Sequence, residues 1–135
     1  MGQERPAASP AVDEVMEDLG PVDKGVIEQL ASITDGEGES VLGELLTAFL
    51  GAVPGRLDAL DRAVASSDLA AIGDQAHSLT GSAASFGARG MADLCRELRV
   101  SADQRDLGTA RRLVEDLHQE FLRVQLWLVN FRASA

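Results

Sequence analysis

The chain has 135 residues, 45% of them apolar, with 22 acidic against 12 basic side chains and a formal net charge of −10. That is the length of one domain with ordinary core material, and so acidic a balance with a single lysine, Lys24, argues against nucleic acid as a partner. One cysteine, Cys95, excludes an intrachain disulfide, and no C-x-x-C or C-x-x-H cluster offers a zinc site, so the expected compartment is reducing and cytoplasmic.

No run approaches the roughly 18 apolar residues that a membrane span needs. The N-terminal stretch carries Glu4, Asp13, Glu14, Glu17 and Asp18 where a signal peptide would be apolar. Pro6 stands where a myristoylation signal following Met1-Gly2 needs Ser or Thr. Charge divides along the chain: residues 1–74 hold 15 acids and 4 bases, residues 75–135 hold 7 acids and 8 bases. Residues 1–21, with Pro6, Pro10 and Pro21 among small and acidic residues, have the composition of a disordered acidic arm, which leaves 22–135 as the folded domain.

From Val22 onward the apolar period is helical throughout, which predicts an all-α fold. Val22, Val26, Ile27, Leu30 and Ile33 mark a short first helix that ends at the breaker Thr34-Asp35-Gly36. Leu42, Leu46, Phe49, Val53, Leu57, Leu60 and Val64 form the seam of a longer second helix, in which Pro54-Gly55 is expected to produce a kink. Ser67-Asp68 can cap a third helix with the seam Leu69, Ile72, Ala76, Leu79, Ala83 and Phe86, and Gly87 is placed to follow its last turn. A fourth helix with the stripe Met91, Leu94, Cys95, Leu98 and Ala102 ends around Asp103-Gln104-Arg105. Asp106 starts a fifth, along which Ala110, Leu113, Leu117, Phe121, Val124, Leu128 and Phe131 share one side. Four long helices with short links predict an antiparallel up-down four-helix bundle, and the short N-terminal helix is placed as a lid over one end.

One face is not explained by folding. On a helical wheel His77 lies roughly 130° from the seam of the third helix and should point to solvent. Its neighbours on that face are Ala70, Gly73, Thr80, Gly81 and Ala84, all small. Two glycines inside a helix cost about 1 kcal/mol each relative to alanine, and an exposed face is usually filled with Glu, Lys and Arg. Such a bare surface suits the close approach of another macromolecule to His77; an incidental surface histidine beside two tolerated glycines is the equally weighted reading. A hydrolytic triad does not follow from the sequence, because Cys95 lies on an apolar stripe. His118, the other histidine, is 41 residues away and expected on the solvated flank of the last helix, too few ligands for a metal. What remains is a histidine nucleophile toward a partner that brings its own activation.

The segment Ala76-His77-Ser78-Leu79-Thr80-Gly81-Ser82-Ala83-Ala84-Ser85-Phe86-Gly87-Ala88 resembles the signature of histidine-containing phosphotransfer (HPt) domains, A-H-x-L-K-G-S-x-x-x-L-G-A. Leu45 to Leu50, Pro54, Leu57, Leu60 and Asp68 upstream, and Met91 to Cys95 downstream, extend the likeness over roughly residues 22–131. The resemblance implies a four-helix bundle whose His77 accepts a phosphoryl group from the aspartyl phosphate of one receiver domain and passes it to another. It also implies that the domain needs no cofactor of its own, Mg²⁺ residing on the receiver, and that its partners are response-regulator receiver domains or a hybrid histidine kinase. Ala70, Gly73, Gly81 and Ala84 would form the docking face, on a chain expected to be monomeric.

One position departs from the family. Thr80 stands where the signature has lysine, so a hydroxyl that can hydrogen-bond a phosphoryl group replaces a cation. Arg89, Arg96 and Arg99 are the candidates to restore the charge, each readable equally as a solvated helix-face arginine. With no nucleotide-binding loop, the chain reads as a phosphotransfer protein and not as an autonomous ATP-dependent kinase. Starting at Met1, it reads as freestanding, with a piece of a larger hybrid kinase as the alternative. The competing functional reading is a non-transferring docking module that regulates a receiver or kinase.

Overall fold

Short polar side chains set where the helices begin. Asp23 accepts from Gly25 N at 2.9 Å, Ser40 Oγ from Leu42 N at 3.2 Å, Asp68 from Ala71 N at 3.1 Å and Asp106 from Thr109 N at 3.1 Å. Each satisfies a backbone donor that the first turn of a helix leaves without a partner. The computed structural model describes residues 20–134, so the predicted acidic arm, Gly20 and Pro21 apart, lies outside the described residues. Five helices follow: α1 (Lys24–Ala31), α2 (Leu42–Ala65), α3 (Leu69–Ser85), α4 (Arg89–Asp103) and α5 (Leu107–Ser134). No β-strand occurs among the described residues.

The ends of α2, α3 and α4 share one solution. Ser67, Gly87 and Arg105 each adopt positive φ, of 56°, 71° and 59°. The next residue then bonds back across the turn: Asp68 N to Ala63 O at 2.8 Å, Ala88 N to Ala83 O at 2.9 Å and Asp106 N to Ser101 O at 2.9 Å. These pairs cover carbonyls that the last helical turn cannot satisfy. Each link is three residues long, about 10 Å at full extension, far too short to regain the other end of a helix, so successive helices run antiparallel.

The long helices close a ring in which α2 packs on α3, α3 on α4, α4 on α5 and α5 on α2. Leu46, Leu60, Ile72, Leu79, Met91, Leu98, Leu117 and Leu128 are fully buried inside it. Phe49 joins three walls, its ring lying 4.6 Å from that of Phe86 and 6.3 Å, edge-on, from that of Phe121. α2 runs without interruption through Pro54, which stands on the exposed side. The outer face of α5 exposes Leu122, Leu126 and Val129.

The lid sits at the α3–α4 turn. Val22 and Ile27 are buried, Asp23 N donates to Gly87 O at 2.8 Å, and Arg89 at the start of α4 donates to the Asp23 carboxylate. Lys24 lines a shallow hollow with Trp127, Asn130 and Phe131, so the start of α1 and the last turns of α5 share this end. The first helix is shorter than its stripe predicts. It stops at Ala31, and Ile33 is 49% exposed, because the following residues form a closed loop of their own. Thr34 bridges Ser40, Val41 N donates to Ile33 O, and the Asp35 carboxylate accepts from Glu37 N and Glu39 N. These bonds replace the helical ones that would have carried Ile33 into the core.

Candidate functional site

α3 buries Ile72, Ala76, Leu79 and Ala83 and thereby turns His77 outward, where its side chain is exposed. His77 stands on the α3–α4 edge in a cleft of about 600 Å³ lined by Ala70, Gly73, Asp74, Arg99, Asp103 and Arg105. This cleft lies toward the α4–α5 turn, away from the lid. Gly73 sets its depth: a Cβ there would meet the Ala102 Cβ at 3.6 Å, so the glycine faces α4 and is half-buried, not bare. Ala70 is exposed beside it.

Gly81 and Ala84 are also exposed, but one and two turns further along α3 and outside the cleft. A Cβ on Gly81 would meet nothing within 4 Å. The small-residue face is therefore continuous along α3, with the cleft at its N-terminal half and open surface at the other. Thr80 is half-buried, and its hydroxyl donates to Ala76 O at 2.8 Å. That donor is spent on the helix backbone, while the oxygen keeps its capacity to accept.

Three arginines were candidates for the cation that Thr80 lacks, and the packing of α4 separates them. Arg89 is held by Asp23 at the lid, and Arg96 pairs with Asp93 at 2.7 Å one turn away on its own helix. Arg99 donates from Nη1 to His77 Nδ1. A guanidinium has no acceptor, so the imidazole Nδ1 accepts, and Nε2 is the ring nitrogen that this contact leaves unengaged. Sequence reasoning missed Arg105, which joins the cleft from the α4–α5 turn. Its left-handed φ of 59°, a conformation that favours glycine, is the one local signal, and it appears only in the structure.

The remaining candidates sit elsewhere. His118 is on the α2–α5 edge, its Nε2 2.9 Å from an oxygen of Asp61. Among the described residues no three His, Cys, Asp or Glu side chains gather as a metal site. Cys95 is buried in the core, and burial pushes its thiol up to about 12, so it is a packing residue with little thiolate at neutral pH. No described helix is long and apolar enough to cross a membrane.

The comparison with known families gives a match over the segment that holds this imidazole: the family model of the Hpt domain covers residues 44–127. The chain belongs to the Hpt domain family. As an Hpt domain it is also similar to a solved structure, histidine-containing phosphotransfer protein B of Pseudomonas aeruginosa PAO1. The two share 28% identity with a TM-score of 0.79, over 87% of this chain and 98% of that one. No curated protein matches the chain by sequence. The Hpt match includes α3 and α4 whole, and hence His77, Arg99 and the cleft between them.

Proposed function

We propose that this Hpt domain accepts a phosphoryl group on His77 from the aspartyl phosphate of one receiver domain and donates it to another. The observation that supports this reading most directly is the exposed His77 ring on a face of small side chains, with the Arg99 guanidinium beside it.

The chemistry needs little from this chain beyond exposure and position. The Nε2 lone pair attacks phosphorus while the bond from phosphorus to the aspartyl oxygen breaks, its electron pair returning to the carboxylate. Attacking nitrogen, phosphorus and leaving oxygen must be nearly in line, and the flat α3 surface lets a receiver bring its aspartate to that geometry. The metal that neutralises the transferring group belongs to the receiver. Arg99 and Arg105 line the cleft with His77 and offer positive charge from α4 and its following turn, where Thr80 offers none.

The docking-module alternative is favoured by one observation: Thr80 brings no charge, and its hydroxyl proton is engaged by Ala76 O. The two readings part in one experiment. Receiver domains from the source genome are charged with labelled acetyl phosphate and mixed with the full chain and with His77→Gln. Transfer predicts acid-labile, base-stable label on the wild type and none on the variant. A receiver that binds while neither protein takes label supports the docking module instead.

A further inference from the structure

Arg99 has a conventional partner at hand and does not use it. Asp103 lies one turn on along α4, at the spacing where helical ion pairs form, and lines the same cleft. Arg99 is nevertheless bonded to the imidazole of His77, and among the described residues Asp74, Asp103 and Arg105, the other charged groups of the cleft, make no hydrogen bond to that ring. A guanidinium can only donate, so Nδ1 must present its lone pair. In a neutral imidazole the proton then resides on Nε2, the nitrogen that Arg99 does not engage. A protonated Nε2 has no lone pair with which to attack phosphorus.

We infer that Arg99 is a positioning residue that holds neutral His77 in its unreactive tautomer, and that the histidine becomes a nucleophile when an incoming phosphoryl group draws the guanidinium away from Nδ1. The inference rests on the phosphotransfer reading of His77 and adds its regulation. The exchange balances. As Arg99 turns to the phosphoryl oxygens, Nδ1 takes a proton from water and Nε2 gives one up to water, leaving the imidazole neutral. Nε2 then attacks, the phosphorus–oxygen bond of the acyl phosphate breaks, and the carboxylate leaves with the electron pair. One cation thus lowers the reactivity of the resting histidine and favours the transfer itself.

These two effects have opposite signs, and that makes them testable. Diethyl pyrocarbonate is an uncharged electrophile that needs an imidazole lone pair but gives Arg99 no phosphoryl group to move to. The full chain, Arg99→Met and Arg99→Lys are treated with it above the ordinary imidazole titration range, and modification of His77 is read by mass spectrometry against His118 in the same molecule. Arg99→Met is expected to react roughly tenfold faster at His77 than the wild type, the size expected for loss of a charge-assisted hydrogen bond. Arg99→Lys, which keeps a cationic donor, is expected to fall between them. Nitrogen-15 spectra of the wild type should show the Nε2-protonated tautomer alone, and those of Arg99→Met a mixture. Phosphoryl uptake from the receiver that best charges the wild type should fall in Arg99→Met.

A merely structural arginine would lower both reactivities or neither. The inference is overturned if Arg99→Met leaves His77 modification unchanged or slows it, or if the wild type shows the Nδ1-protonated tautomer. Faster modification with no phosphoryl uptake by any of the three proteins would uphold the tautomer control and reject the transfer reading.

Discussion

Gly87 and Val26 approach so closely that a Cβ on the glycine would lie 2.9 Å from the Cβ of Val26. The same atom would be 3.0 Å from the Asp23 Cβ and 3.2 Å from the Asp23 carbonyl oxygen, and Gly87 has a φ of +71°. Of the three left-handed link residues it is the one against which α1 docks. Gly87→Ala should therefore combine conformational strain with overpacking and cost about 2–4 kcal/mol, read from urea unfolding. Because the lid lies away from the cleft, phosphoryl uptake per folded molecule should not change.

Gly81 presents the reverse case, an open helix position where nothing restricts a side chain. Gly81→Ala should stabilise the domain by about 0.5–1 kcal/mol. Gly81→Gln should fold as well as the wild type but lose phosphoryl transfer from receivers by about tenfold or more, since a projecting side chain shifts the docked partner out of line. Unfolding midpoints and transfer rates measured on the same preparations check the trade.

Thr80→Lys restores the residue of the family signature one turn after His77. It is expected to accelerate phosphoryl acceptance severalfold by adding a second cation beside His77. Stability should stay within about 0.5 kcal/mol, since lysine is the better helix former and the back-bond to Ala76 O adds little. Unchanged transfer rates would show that the arginines of the cleft already supply the charge.

The Asp23–Arg89 contact makes the lid sensitive to acid. The hydrogen bond from Arg89, with backbone donors at Gly25 and Val26, holds the Asp23 carboxyl below its ordinary range against the opposing effect of burial. A carboxyl depressed in the folded state adds stability that is fully present above its unfolded value, about pH 4, and is lost as pH falls through the folded value. Asp23→Asn should therefore cost less than about 1 kcal/mol at neutral pH, the arginine being half exposed. The gap to the wild type should close below about pH 4 in unfolding curves taken across that range.

The bundle was legible because its signals are local. The seam Leu42, Leu46, Phe49, Val53, Leu57 and Leu60 is buried as its spacing predicts, Asp68 caps α3, and Gly87 terminates it with positive φ. At the other end of α2 the seam shifts by one residue, so that Ala63 is buried and Val64 is half-buried. Outward placement of His77 followed from the same periodicity. What the sequence could not rank were Arg89, Arg96 and Arg99, which are chemically alike and all exposed on α4. Their roles depend on tertiary neighbours: the lid beside Arg89, an acid on the same helix beside Arg96, and the rotation of α4 that aims Arg99 at α3. Gly73 is half-buried for a related reason: a wheel drawn on one helix shows which residues leave the seam but not that α4 covers one flank of the outer face.

The shared location of Lys24 and the last turns of α5 has a practical side. Both ends of the helical body leave from the lid, while His77 and its arginines look out from the other half of the molecule. A dye, an affinity handle or a tethered protein joined at that end stays clear of an approaching receiver, and would report its arrival through slower tumbling rather than through contact.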